Sequence, residues 1–202
     1  MISGGRRSAR LGAALCAAAL VAASAMGAEP AAPGAWDLKR LMHELSQVKS
    51  ARARFVESRQ LAILSAPLES SGALIYTAPG RLEKHTLAPR AESLVVDGDR
   101  LTLENKAQNQ RRSFALQQYP EIWALVESMR STLAGDLAAL QRYYQVSLEG
   151  SESQWRLNLK PVEPGMQKLV GEIRIGGSGN QVGSVEIIET GGDRSVMTIT
   201  RE

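Results

Sequence analysis

Between residues 36 and 48 the apolar positions Trp36, Leu38, Leu41, Met42, Leu45 and Val48 recur three or four apart, which places them on one face of a helix. Asp37 is its expected N-cap, because a carboxylate there can accept the free backbone N–H groups of the first turn. From Ala51 the period falls to two, with Phe55, Leu61 and Ile63 on one parity and charged residues between them. The helix is therefore expected to run into a strand. Strand-like runs follow in series over 70–77, 81–87, 93–96, 100–104 and 113–116, and again over 144–148, 155–159, 170–175, 182–188 and 195–200. Pro79-Gly80, Asp97-Gly98-Asp99, Glu149-Gly150, Gly176 to Asn180 and Gly191-Gly192-Asp193 supply the turns. About eleven short strands with little between them predict a mainly β chain, an antiparallel meander that curls into a barrel or half-barrel.

Residues 121–143 interrupt the series. Ile122, Trp123, Leu125, Val126, Met129, Leu133, Leu137 and Leu140 lie among good helix formers, with Gly135 midway. The pattern predicts two helices broken at Ala134-Gly135, the second capped by Asp136. A helical insert between two sets of strands either plugs a barrel or covers its mouth. A curled sheet that is lidded rather than filled is a place to hold an apolar ligand.

The charge balance changes once the N-terminus is read. Arg6, Arg7 and Arg10 precede an uncharged apolar run, Leu11 to Ala22, and then small residues through Ala28. This is the order of a secretory signal peptide, and the run is too short to span a bilayer. Cleavage is expected after Ala25, Gly27 or Ala28. Residues 1–28 hold three of the 24 Lys and Arg and none of the 21 Asp and Glu, so the formal charge of +3 belongs to the signal. The mature chain has 21 groups of each sign, and basicity gives no reason to expect nucleic acid. Cys16, the only cysteine, goes with the signal and lacks the flanking pattern of a lipid-attachment site. The expectation is a periplasmic, soluble protein without disulfides. It has a flexible leader over 29–35 and a single domain over 36–202, large enough for its own core.

Catalytic chemistry is thin. His43 and His85 are the only histidines, and neither has a second ligand at zinc spacing, so both are expected to face solvent. Gly176-Gly177-Ser178-Gly179-Asn180 has Asn where a nucleophile elbow needs its final Gly, and it joins two strands rather than a strand and a helix. Nothing activates a nucleophile or a water. No enzyme activity, metal or cofactor is expected.

The order of features nevertheless resembles a known family. The N-terminal helix leads into Ala53-Arg54-Phe55. Then come Ser71-Gly72-Ala73-Leu74-Ile75-Tyr76 with Pro79 just after, Ser93-Leu94-Val95-Val96-Asp97-Gly98, Trp155-Arg156-Leu157-Asn158-Leu159-Lys160-Pro161, and Gly192-Asp193-Arg194. In this order the chain resembles the LolA-type periplasmic lipoprotein carriers. More narrowly it resembles a divergent LolA-like branch found beside polyene-lipid and glycolipid export genes. The resemblance implies an unclosed antiparallel β-barrel of about eleven strands, covered by an N-terminal helix and a helical lid. It implies a carrier that receives acyl chains of a lipoprotein, glycolipid or polyene lipid from an inner-membrane transporter and passes them to an outer-membrane receptor. That receptor shares the fold but is lipid-anchored, so this chain is expected to be the soluble, monomeric shuttle.

Such a role calls for a hydrophobic cavity. Trp123, Val126, Met129 and Leu133 are its expected lid residues, and Phe55, Leu74, Tyr76, Leu82, Leu94, Val96 and Leu101 its expected walls. The same apolar residues would equally serve a packed core. A periplasmic sensory or protein-interaction module with a filled barrel is therefore the alternative. Two departures stand out. Family carriers place an arginine directly before the proline after the second strand, where it helps hold the lid closed. Here Ala78 precedes Pro79, and Arg81 follows three positions on from Ala78. The chain also stops at Glu202, soon after its last strand, without the extension that would cross the sheet.

Overall fold

A computed structural model describes residues 36–202; the expected signal peptide and leader lie outside the described residues. Helix α1 (Leu38–Ser46) begins where the sequence predicts, with the Asp37 carboxylate accepting the Arg40 backbone N–H at 2.8 Å. Leu41, Met42 and Leu45 form its buried stripe. Six strands follow: β1 (Ser50–Gln60), β2 (Leu68–Thr77), β3 (Arg81–Ala88), β4 (Glu92–Asp97), β5 (Arg100–Asn105) and β6 (Gln110–Ala115). Helices α2 (Pro120–Ala134) and α3 (Leu137–Tyr143) lead into β7 (Tyr144–Ser151) and β8 (Gln154–Pro161). A short α4 (Pro164–Gln167) precedes β9 (Val170–Ser178), β10 (Gln181–Glu189) and β11 (Arg194–Arg201). All eleven strands join one antiparallel sheet in the order β6-β5-β4-β3-β2-β1-β11-β10-β9-β8-β7. β6 and β7 are its two ends and do not pair, so the barrel is unclosed.

The helical break falls where expected. Gly135 caps α2 in the left-handed region at φ 69°, and its N–H reaches back to the Ser131 and Thr132 carbonyls. Asp136 then caps α3 by accepting the Ala139 N–H at 2.9 Å. The first strand differs from its prediction. β1 stops at Gln60, leaving Leu61 and Ile63 outside it, and Ile63 is 89% exposed. The reason is the ladder, which runs out at Arg59 opposite Leu68 of β2 and at Gln60 opposite Arg194 of β11. Beyond that point the backbone has no strand to bond. The Ala62 N–H instead meets the Asp193 carboxylate at 2.8 Å. β6 likewise begins earlier than its apolar run suggests, and buried Leu116 starts a 3-10 turn, Leu116–Gln118.

One face of the sheet is covered by the helices. Under α1 and α3 lies the larger core, built around Leu41, Leu45, Leu140, Tyr144, Trp155, Leu157, Leu159 and Ile173. Tyr144 anchors it by donating its hydroxyl to the Ala124 carbonyl of α2 at 2.6 Å. Burial and the neighbouring Glu127 charge push that phenol well above its ordinary value. A smaller core under the start of α2 joins Val96, Leu101, Leu116 and Val126.

Candidate functional site

Between α2 and the covered face of the sheet lies a cavity of about 290 Å³ with almost wholly apolar walls. Val96 of β4 and Ile175 of β9 both line it, although five strands separate β4 from β9. At about 4.8 Å per strand a flat sheet would hold them about 29 Å apart. The sheet therefore wraps around the cavity, and the side chains of both halves converge without filling it.

Strand alternation explains the walls. Ala51 and Ala53 on β1 are small residues at inward positions, and their size leaves room. Leu74 and Tyr76 of β2, Leu82 of β3, and Leu94 and Val96 of β4 line one side. Val185 and Ile187 of β10 and Met197 and Ile199 of β11 line the other. Ile122, Leu125, Val126, Met129 and Leu133 of α2 close the top. Of the residues expected from the sequence, Leu74, Tyr76, Leu82, Leu94, Val96, Val126, Met129 and Leu133 thus meet at one cavity. Phe55, Leu101 and Trp123 lie nearby in packed positions instead. Phe55 is 2% exposed, Leu101 sits in the smaller core, and Trp123 meets Tyr143 edge to face with ring centroids 4.7 Å apart. The contribution of β10 and β11 was not anticipated, although the alternation Val185, Ile187 and Met197, Ile199 carries the signal.

Arg52, Glu83, Asn180, Gln181 and Arg201 also line the cavity, and two further polar features interrupt its wall. Glu57 occupies an inward position on β1, and its carboxylate pairs with the Lys84 ammonium of β3. It also accepts the Ser195 hydroxyl at 2.7 Å and the Ser70 hydroxyl at 3.3 Å. Burial alone would raise the Glu57 carboxyl, but the hydrogen bond and charge of Lys84, helped by the two hydroxyls, leave it below its ordinary value. The Lys84 ammonium also lies 4.9 Å from the centre of the Phe55 ring. This chain of side chains runs across β3, β2, β1 and β11 and forms a polar end to the cavity. The second feature is Thr132 of α2, 1% exposed, whose hydroxyl has no hydrogen-bond partner among the described residues. Sequence reasoning missed all of these. A charged residue on the same parity as Phe55 was the available signal for Glu57.

Arg81 does not reach the helices. It bonds Glu83 at 3.0 Å and Asp97 at 2.5 Å along the sheet. The arginine that links lid and sheet comes from the opposite side. Arg130 of α2 donates from Nη1 to the Gly98 carbonyl in the β4–β5 turn at 3.2 Å. It also lies against Gly80 in the β2–β3 turn, where a Cβ would come within 2.7 Å of Arg130 Nε.

His43 is exposed, as expected. His85 is half-buried instead, with Nε2 at 2.8 Å from Glu83, two residues earlier on the same face of β3, and Nδ1 at 2.9 Å from Ser93, its partner across the β3–β4 ladder. Among the described residues no three His, Cys, Asp or Glu side chains are grouped to hold a metal ion, and no helix is long and apolar enough to cross a membrane.

The cavity can be set beside known proteins. Residues 30–200 match the family model described as outer membrane lipoprotein carrier protein LolA-like. The outer-membrane lipoprotein carrier protein of Pseudomonas entomophila is 24% identical over 180 residues, covering 87% of this chain and 82% of the relative. The protein of the same description from Pseudomonas putida gives the same figures. Among solved structures, a LolA superfamily protein from Nitrosomonas europaea matches with a TM-score of 0.44 at 9% identity, over 82% of this chain and 92% of the other. The MucA/MucB complex of Pseudomonas aeruginosa matches at 0.41 and 14%, over 81% and 54%. With all but two of its last 173 residues inside the family match, the chain belongs to the LolA-like family of outer membrane lipoprotein carrier proteins.

Proposed function

We propose that this protein is a periplasmic carrier that shelters the acyl chains of a lipoprotein or lipid-linked product and moves them from the inner to the outer membrane. The observation that carries this reading is the unfilled apolar cavity between α2 and the curled sheet. A filled barrel acting only as a sensory or protein-interaction module would have no use for it. Each methylene buried there gains about 0.8 kcal/mol. A long chain would be held against water on that account alone, and release then needs an opposing term. Opening α2 away from the sheet supplies one, since Val126, Met129 and Leu133 lose apolar contact as the cavity empties. The task is transfer, not bond chemistry. A donor in the inner membrane and an acceptor in the outer membrane would complete the cycle.

Native mass spectrometry of the protein purified from its own periplasm, with organic extraction of the bound material, tests the reading. A stoichiometric apolar adduct that is lost in Leu74→Glu, with the circular dichroism unchanged, is the expected result. A clean apo mass together with no uptake of a fluorescent fatty acid would overturn it.

A further inference from the structure

Helix α2 carries three buried hydroxyls, and two of them are satisfied close by. Ser128 donates to the Leu125 carbonyl at 2.8 Å, and Ser131 donates to the Glu127 carboxylate at 3.0 Å. Thr132 makes no such bond. A threonine inside a helix ordinarily turns its hydroxyl back to the carbonyl three or four residues earlier. Those carbonyls belong to Met129 and Ser128, and neither accepts it. The hydroxyl is therefore dehydrated and unmatched among the described residues, a state that burial penalises.

Its face on the helix sets it apart. Ile122, Leu125, Val126, Met129, Thr132 and Leu133 line the apolar cavity at helical spacing, and Thr132 is the one polar member of that stripe. Ser128 and Ser131 lie off it. The stripe begins over Val96 and Leu101, where Ile122 and Val126 join the smaller core. It ends beside α1, since Gly135 closes against the Met42 carbonyl. Ten residues of helix, about 15 Å, separate Ile122 from Thr132. A single hydrogen-bonding group thus stands at one end of an otherwise apolar roof. At the same end of the cavity Arg201, opposite Ala53 on β1, and Gln181 of β10 are exposed wall residues.

A bare hydrocarbon tail in the cavity would leave the hydroxyl as unmatched as before. An acyl ester or amide brings a carbonyl oxygen at the head of its chain, an acceptor for the one hydrogen that a threonine hydroxyl donates. We propose that Thr132 is a specificity-determining contact of the cavity, its hydroxyl donating to the acyl carbonyl of an ester- or amide-linked chain. The inference rests on the carrier reading and adds the linkage that is recognised and the direction of the chain. The tail runs under Met129 and Val126 toward Val96, and the rest of the ligand leaves past Arg201 and Gln181.

The test compares methyl dodecanoate with tetradecane, two uncharged ligands of equal chain length that differ in the ester. Each is titrated against the whole protein by displacement of a fluorescent fatty acid. Relative to tetradecane, the ester should lose about fivefold in Thr132→Val, the equivalent of one neutral hydrogen bond, and keep its standing in Thr132→Ser. In the wild type, the carbonyl stretch of the bound, isotope-labelled ester should fall below its position in dry hydrocarbon. An unchanged ratio in Thr132→Val or an unshifted band would overturn the inference and leave the acyl carrier standing. So would loss of the ester preference in Thr132→Ser, which would assign the effect to shape rather than to the hydroxyl. Failure of both ligands to displace the probe from the wild type would remove the carrier reading itself.

Discussion

Arg130 of α2 and Gly98 of the β4–β5 turn are joined by a hydrogen bond of 3.2 Å, the guanidinium donating to the backbone carbonyl. The bond ties the lid helix to the sheet at a place where no other side chain does so among the described hydrogen bonds between α2 and β1–β6. The same guanidinium fits over Gly80 because that residue has no Cβ. Ala78 leaves the position before Pro79 without a guanidinium, and the guanidinium that meets these turns comes from α2.

Arg130→Ala should loosen α2 without unfolding the sheet. Hydrogen exchange in α2 should rise, and both uptake and release of a fluorescent fatty acid should quicken by about fivefold, the equivalent of one such bond. Gly80→Ala should give a similar effect by displacing the side chain, and the double variant should add little to either single one. Additive effects would mean that the two residues do not share a latch.

Glu57 should make stability depend on pH below its ordinary value of 4.5. Its native value is lowered, so its contribution is present in full above that ordinary value and is lost as pH falls through the native one. Glu83 is also held low, by the hydrogen bond from His85 opposing its partial burial and by Arg81, and acts in the same direction. The difference between the wild type and Glu57→Gln isolates Glu57. At neutral pH the variant should lose about 1 to 2 kcal/mol, less than for a fully buried pair because Lys84 is 28% exposed. Urea denaturation across this range should find the gap closing as pH falls. A constant gap would count against the assigned ion pair.

Thr132→Val should stabilise the protein. The hydroxyl is buried without a partner among the described residues, and valine keeps the shape without the polar atom. A gain of about 1 kcal/mol, or about 2 to 4 °C in Tm, is expected in a thermal melt. A lower Tm would mean that the hydroxyl is hydrogen-bonded in solution.

Gly135 and Gly98 separate backbone strain from steric fit. Both have positive φ, 69° and 55°. A Cβ at Gly135 would come within 2.1 Å of the Met42 carbonyl of α1, whereas nothing lies within 4 Å at Gly98. Gly98→Ala should therefore cost about 1 kcal/mol and Gly135→Ala more than about 2 kcal/mol, read by urea denaturation. Equal costs would show that α1 yields at that contact.

Much of this architecture was legible in local sequence because its signals are local. The left-handed cap at Gly135, the Asp136 cap three residues before Ala139, and the Asp97-Gly98-Asp99 turn each depend on neighbours within a few positions. The strand count followed from period two and from the turn residues between runs. Parity was less secure. Phe55, Leu61 and Ile63 have matching spacing, yet the ladder ends at Gln60 and only Phe55 faces inward within the strand.

The sequence by itself determined the kinds of elements, their order, and most of the apolar residues that would meet, since periodicity and capping are written in short stretches. The tertiary structure decided which surfaces stay apart. Glu57 reads as an ordinary polar residue of a strand until Lys84, 27 positions on, and Ser195, 138 positions on, are brought beside it through β3 and β11. Arg130 reads as a solvated helix residue until α2 lies across two turns from elsewhere in the chain. The cavity is of the same kind. Its residues are legible one by one, but its emptiness depends on how far a wrapped sheet holds two apolar walls from each other, and no local pattern records a distance between strands that never pair.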